Sequence, residues 1–413
     1  MRYILHSDLN NFYASVECLY NPAIKDKPVV VVGDAEKRHG VVLAKNMIAK
    51  KCGVKTGDVI YQARSKCGND LVCVKADFDK YVQVSQQIKD VYREYTPLVE
   101  SFGIDEAWLD ISKLVNSFDE AYEFADKLRR RICKEFGLTV SIGVSYNKVY
   151  AKLGSDLKKP DAVTLIDNVN YQKLIYPLPC EDLLYVGHAT KEKLHKNNIF
   201  TIGGIANADA KFMHKTFGKV GDMLVKFAKG LDDEPVVPDG QGEKVKSIGN
   251  STTCPRDLRK DGEVKAIIYV LAEHVAMRMR KQGVYASGVS LWVRNERLES
   301  YEKHCTLPCS TNVAGDIAKA CYQLFKDNYD WNCNVRAVGV RVFNLSEGNI
   351  QCSLFEPMEN QQKRLKLEQT VENLRDKFGY NIIKRGNIME DKDFNSIDPY
   401  EKQHSIHPVG YKK

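Results

Sequence analysis

Three carboxylates stand beside apolar segments, where a folded chain ordinarily avoids charge. Asp8 closes the run Tyr3-Ile4-Leu5-His6-Ser7-Asp8-Leu9, and Asp105 and Glu106 lie within Phe102-Gly103-Ile104-Asp105-Glu106-Ala107-Trp108-Leu109-Asp110. Each run has the β-branched, aromatic and apolar content of a strand, so the acids are expected at strand ends beside a core. Packed together they would repel unless a divalent cation lay among them. Hard oxygen ligands suit Mg²⁺, which takes one or two carboxylates and leaves its other positions to water and substrate phosphates. That combination points to phosphoryl transfer. Acids at strand ends also cap helices or pair with lysine, which is the plain alternative, and Asp110, further along its strand, reads as structural.

The elements that must position these groups follow from pattern. Strands are expected over 2–8 and 98–111, with Ile104-Asp105-Glu106 near the bend of a hairpin, and a helix between Tyr146 and Lys159 that Pro160 stops. Strands interleaved with helices describe an α+β domain. From about residue 170 the pattern is helical. Leu231 to Glu243 is acidic and rich in Pro and Gly, the composition of a linker, so a further domain should follow. There, residues 263–282 form an amphipathic helix with Val264, Ile267, Ile268, Leu271, Val275 and Met279 on its buried side, accompanied by strands at 287–294 and 335–343. In the second strand Val338, Val340 and Val342 alternate with Gly339 and Arg341, so one face can pack while the other meets a phosphate. Beyond 355, Leu367, Val371, Leu374 and Phe378 recur at helical spacing with no domain to pack on, and the tail is expected to be partly ordered.

A chain of 413 residues, 43% hydrophobic and 28% charged, has the composition of a globular protein of several domains. It contains no apolar stretch of ~20 residues that could span a bilayer. Asp8 interrupts the N-terminus too early for a secretory signal, so a cytoplasmic protein is expected, and its 12 cysteines are expected to be free thiols. His304-Cys305 with Cys309, and Cys67 with Cys73, lack a second ligand pair at zinc-site spacing. The net charge of +7 is unevenly spread: residues 244–349 hold 16 Lys and Arg against 11 Asp and Glu. A local basic surplus suits a phosphate-tracking module, and equally an ordinary solvated surface.

Asp8-Leu9-Asn10-Asn11-Phe12-Tyr13-Ala14-Ser15-Val16-Glu17 and Phe102 to Asp110 resemble the two palm motifs of Y-family translesion DNA polymerases. Ser141-Ile142-Gly143-Val144-Ser145-Tyr146-Asn147-Lys148, running on to Lys158-Lys159-Pro160, resembles a third stretch of that family. The matches continue co-linearly to about residue 355, in the order of its bacterial DNA polymerase IV (DinB-like) branch. The resemblance implies an α+β multidomain, right-hand polymerase. Its α/β palm would comprise residues 1–10 and 76–166, its small fingers 11–75 and its helical thumb, with a helix-hairpin-helix turn, 167–232. A linker at 233–246 would lead to an α/β little finger at 247–349, then to a clamp-binding peptide and tail over 350–413. The implied activity is template-directed addition of dNTPs to a primer 3′-hydroxyl by two-metal phosphoryl transfer, with low fidelity, bypass of damaged bases and no proofreading.

By the same resemblance Asp8, Asp105 and Glu106 are the catalytic carboxylates and, with the Leu9 carbonyl, hold two Mg²⁺ ions, for which Mn²⁺ can substitute. Tyr13 is the gate that opposes a 2′-hydroxyl, and Phe12, Tyr13, Lys45, Lys50 and Lys159 attend the nucleotide. Where many members have Tyr and Arg three residues apart in the fingers, this chain has Met47 and Lys50, which offer no hydroxyl and no bidentate fork. In the thumb, Gly187 and Thr190 belong to the turn that approaches a DNA phosphate, and Tyr185 stands where the family usually has its first glycine. Arg336 and Arg341 match little-finger phosphate contacts, while Ala337 and Asn250 occupy positions that are often basic. Gln351-Cys352-Ser353-Leu354-Phe355 resembles the pentapeptide that docks on the sliding clamp, the DNA polymerase III beta subunit, with Gln351 as polar contact and Leu354 and Phe355 as apolar anchors. Primer–template DNA, dNTP and clamp are thus the implied partners of a monomer with no membrane association. A palm-type nucleotidyl cyclase would need neither thumb nor clamp peptide, and a non-catalytic adaptor would tolerate loss of the carboxylates, all three of which are present.

Overall fold

The computed structural model describes residues 1–33, 40–241, 245–347, 358–389 and 392–395. In chain order its strands are β1 (Ile4–Leu9), β2 (Val29–Val32), β3 (Val42–Lys45), β4 (Val72–Lys75), β5 (Val99–Ser101), β6 (Glu106–Asp110), β7 (Val140–Ser145), β8 (Val163–Leu165), β9 (Ser247–Leu258), β10 (Val284–Asn295), β11 (Ser300–Thr311) and β12 (Val335–Glu347). They fall into two compact units, β1 to β8 in the first and β9 to β12 in the second, which also holds the described C-terminal helices.

The first unit is organised by a five-stranded sheet in the order β5-β6-β1-β7-β8. Its central strand β1 is buried on both faces, and the period of two divides its side chains between them. Leu5 and Leu9 join the core made with the helices Phe78–Tyr95 and Phe118–Phe136. Ile4, His6 and Asp8 point the other way, toward the helix Lys148–Leu157, which packs on β1 and β7. That helix lies very close to the sheet: a Cβ on Gly143 of β7 would come within 1.8 Å of the Ala151 carbonyl oxygen. Only glycine permits this approach, and it brings the helix's lysines over the carboxylates. A separate sheet, β3-β2-β4, encloses a small core of Val30, Val32, Val42, Ala49, Val54, Ala63 and Leu71. Four helices between His188 and Ala228 gather around Leu194, Ile202, Met213 and Leu224.

Two sequence boundaries shift. Residues 11–20 were expected in the fingers, but Phe12, Ala14 and Val16 of the helix Phe12–Tyr20 are packed in the main core of the first unit. The segment read as a linker is fastened along the edge of that sheet as far as Asp239. Arg2 donates to the carbonyls of Asp232 and Glu234, Val236 is buried, and Asp239 accepts from the Ser101 N–H and from Arg93, both at 2.8 Å.

The second unit is a four-stranded antiparallel sheet, β11-β10-β12-β9, with the helices Asp261–Lys281 and Ala314–Asn328 on one face. All six apolar residues expected on the inner side of the first helix are buried. The expectation that the helical stretch beyond 355 has no domain to pack on is corrected: the helix Met358–Phe378 is held on this unit by charged residues. Arg280 reaches Glu368 at 2.7 Å and also pairs with Glu372, Arg375 meets Glu273 at 3.0 Å, and Arg364 meets Asp316 at 2.7 Å. Leu367, Leu374 and Phe378, which recur at helical spacing, are exposed.

Candidate active site

Asp8 and Glu106 are register partners across β1 and β6, so their side chains leave the sheet on the same face, and the next pair down is His6 with Trp108. Asp105 lies in the bend just before β6, tied to β1 by the bond from the Leu9 N–H to the Asp105 carbonyl at 3.0 Å. Two side chains from the helix Phe78–Tyr95 hold that bend by its backbone. Lys89 Nζ donates to the Gly103 carbonyl at 2.6 Å, and Ser85 Oγ donates to that of Ile104. Asn10 extends the frame by donating to Ser141 Oγ at 2.9 Å and accepting from the Asp161 N–H at 2.8 Å.

Two lysines answer the negative charge. Lys159 Nζ lies 2.6 Å from Asp8 Oδ2 and 2.8 Å from Asp156 Oδ1, and Lys152 Nζ lies 2.5 Å from Glu106 Oε2. Asp8 and Glu106 are drawn to different lysines, and the three carboxylates do not converge tightly: no choice of one oxygen from each places all three within 4.8 Å of one another. Burial pushes the Asp8 carboxyl up to about 7, with Glu106 and Asp105 adding to the rise against the opposing pull of Lys159. Asp105 is raised by burial and by Glu106. Burial would raise Glu106 too, but its contacts with His6 and Lys152 outweigh it and hold that carboxyl below the ordinary range.

His6 is fully buried, and burial lowers its pKa to about 4, so the ring is neutral near pH 7. Ser155 Oγ lies 2.7 Å from the Lys152 carbonyl oxygen and shares a hydrogen bond of 2.9 Å with His6 Nδ1. Nε2 lies 3.4 Å from Glu106 Oε2 with no hydrogen-bond partner. One buried and two half-buried carboxylates, with an unpartnered imidazole nitrogen turned toward one of them, are a donor set that fits a divalent cation.

The remaining expected residues are placed as follows. Tyr13 is half-buried, its ring stacked on Tyr81 at 4.4 Å and edge-on to Phe78 at 5.7 Å, so its position is fixed by a second layer of aromatic side chains. Phe12 is a core residue, so any part it plays at a nucleotide falls to its backbone at the helix N-terminus. Lys45 donates to Thr56 Oγ1 at 3.0 Å, and Lys50 is exposed on the short helix Met47–Lys51. Gly187 caps the helix His188–Lys196, whose N-terminus has no side-chain cap, and Thr190 sits in its first turn. Tyr185 adopts φ +69°, a left-handed conformation natural to glycine and costly for tyrosine. Arg336 and Arg341 lie on β12. Gln351, Leu354 and Phe355 are outside the described residues. Cysteine, histidine and carboxylate groups that are potential metal donors also occur away from the three acids. Among the described residues only Cys180, Glu181 and His195 gather three such donors, and Lys191 already takes Glu181 at 2.6 Å.

Sequence reasoning missed His6, Lys152, Lys89 and Ser85. A signal for Lys152 existed: Lys148, Lys152 and Ser155 recur at four and three residues, one face of a helix. The same face carries Lys148, which pairs with Glu100 at 2.8 Å and lies over the Trp108 ring.

Residues 7–156 match the model of the impB/mucB/samB family, and residues 245–354 match that of its C-terminal domain. A DNA polymerase IV of Acetivibrio thermocellus is 46% identical over 398 residues, covering 96% of this chain and 100% of the relative. The chain belongs to the DNA polymerase IV family. Further members include DNA polymerase IV of Pelotomaculum thermopropionicum, 36% identical over 92% of this chain and 94% of the relative, and DNA polymerase IV 1 of Bacillus subtilis, 35% identical over 93% and 92%. Among solved structures, a Y-family DNA polymerase chimera aligns with TM-score 0.73 over 84% of this chain and 100% of its own, at 24% identity, which speaks to the fold. DinB from Sulfolobus solfataricus aligns with TM-score 0.54 over the same shares. The fold is therefore that of the multidomain α+β Y-family polymerases, and the chain is a DNA-directed DNA polymerase of the translesion class. As in DNA polymerase IV generally, its substrates are primer–template DNA and dNTPs, and its chemistry depends on a divalent metal. No helix among the described residues is long and apolar enough to cross a membrane.

Proposed function

We propose that the chain extends primers past damaged template bases by two-metal phosphoryl transfer, with low fidelity and no proofreading. The observation that carries this reading is the register pairing of Asp8 with Glu106, with Asp105 at the adjoining bend, in a buried site whose acids have no apolar role. Asp8, Asp105, Glu106 and the Leu9 carbonyl would hold two Mg²⁺ ions, with Mn²⁺ able to replace them. When bound, such ions lower the barrier by stabilising charge on the attacking and leaving oxygens of an in-line displacement.

This chain's own residues supply the rest. Lys159, shared between Asp8 and Asp156 and the more exposed of the two lysines beside the carboxylates, would turn to the triphosphate. The first N–H groups of the helix Phe12–Tyr20 have no intrahelical acceptors and no side-chain cap, which suits an anion. Tyr13, braced by Tyr81 and Phe78, opposes a ribose 2′-hydroxyl because its ring cannot retreat. Lys45 and Lys50 add positive charge from the fingers. Gly187 and Thr190 offer backbone contacts to a DNA phosphate, and Arg336 and Arg341 offer charged ones, none of which reads sequence. Gln351, Leu354 and Phe355 are proposed to dock on the sliding clamp, and the protein to act as a cytoplasmic monomer.

Primer extension with purified protein, on an undamaged template and on one carrying a minor-groove guanine adduct, tests this reading. Extension to and past the adduct, with frequent misinsertion and no excision of a mismatched primer end, is the expected outcome. A block at the adduct, or removal of the mismatch, would refute it.

A further inference from the structure

On β12, Arg341 stands on the face of the sheet opposite the two helices, since Val338, Val340 and Val342 fill the inner face. Its register neighbours are Ser290 on β10 and Gly249 on β9, and Ser290 in turn pairs with His304 on β11. The small neighbours leave Arg341 room to move, yet it is engaged: Arg341 Nη2 lies 2.5 Å from Glu302 Oε1 on β11. Glu302 is itself anchored from below. Ser290, only 1% exposed, donates its hydroxyl to the same oxygen at 2.5 Å. The Ser290 hydrogen bond, with Arg341 contributing, keeps Glu302 below the ordinary carboxylate range, so it is ionised near pH 7.

We propose that Glu302 is an electrostatic counterweight that holds DNA affinity down: Arg341 meets a backbone phosphate only by giving up Glu302, which then remains beside that phosphate. The proposal rests on reading Arg341 as a phosphate contact. It follows from an asymmetry between the partners. The arginine is at the end of a long flexible stem on an exposed surface, whereas the carboxylate has a second tether, the hydroxyl of buried Ser290. Two like charges a few ångströms apart are too close for salt to screen fully. An arginine already neutralised by a carboxylate also displaces little counterion from DNA when it binds, so its usual contribution to affinity is cut. The consequence for a translesion polymerase is quick release of the primer once the obstacle is passed.

Binding of a fluorescent primer–template duplex by the full chain, followed by anisotropy across a range of salt, tests the counterweight with Glu302→Gln, Arg341→Ala and the double variant. Glu302→Gln should bind roughly fivefold tighter at low salt, with a slope of log affinity against log salt steeper by about 0.9, the share of one restored phosphate contact. Arg341→Ala should cost more in the Glu302→Gln background than in the parent. If Glu302→Gln leaves affinity unchanged while Arg341→Ala weakens it, the contact stands and the counterweight is wrong. If Glu302→Gln weakens binding, Glu302 positions Arg341 rather than opposing it. If Arg341→Ala is silent in both backgrounds, the reading of Arg341 fails and the proposal with it.

Discussion

On the sheet of the first unit, Asp8 and Glu106 face each other from neighbouring strands, with Asp8 only 5% exposed. On the sheet of the second, the side chains of Arg341 and Glu302 also meet across strands, but at 49% and 43% exposure. Strand alternation places the charges in both cases, and cover sets what they do. The helix Lys148–Leu157 lies over the first pair and removes water, so charge there is costly and the Asp8 carboxyl rises to about 7. Nothing among the described residues packs over the second pair in the same way, so its partners can be exchanged for a phosphate at little expense. Burial creates a site that demands a cation, and exposure creates one that can trade partners.

Removing one of the acids under this cover is the hardest test of that contrast. Asp105→Ala should slow nucleotide addition on the order of 10³-fold or more while leaving primer–template affinity near the parental value, as measured by single-turnover extension and anisotropy on one preparation. Extension at the parental rate would remove Asp105 from the chemistry.

A smaller effect is expected from the ring beside the acids. Tyr13→Ala should lower the dNTP-over-rNTP ratio of kcat/KM on the order of 10²-fold, with Tyr81 and Phe78 left to line the gap. An unchanged ratio would place the sugar gate elsewhere.

The finest test concerns stability. The Asp8 carboxyl has a folded pKa of about 7 against an ordinary value of 3.8, so the folded chain binds the extra proton between those values. Stability of the metal-free protein should therefore fall as pH rises through that window. Asp8→Asn in the presence of a chelator should unfold at a higher temperature than the parent at pH 7.5, by on the order of 2 kcal/mol, and lose most of that advantage by about pH 5. Glu302→Gln, on the exposed pair, should change stability by less than about 0.5 kcal/mol at either pH. Equal responses from the two variants would show that cover does not distinguish the two sheets.

Much of the site was legible in the chain. Asp8 and the acids before and within β6 could be read at the ends of strands beside a core, because apolar and β-branched runs mark those strands. What covers a face could not be read in that way. Residues Leu367, Leu374 and Phe378 have the spacing of a buried stripe, yet they are exposed, and the helix is seated through Glu368, Glu372 and Arg375 instead. Local spacing names the candidate faces, whereas the charges on distant Arg280 and Glu273 select among them. The same division holds at the active site. Sequence determined that three hard acids stand at strand ends in a chain with a basic C-terminal domain. Only the tertiary structure decided that Asp8 faces Glu106, that a glycine brings Lys152 down beside them and that His6 is left with an unpartnered nitrogen. Strand register and helix approach are contacts between residues far apart in the chain, and their energies depend on burial, which no local pattern contains.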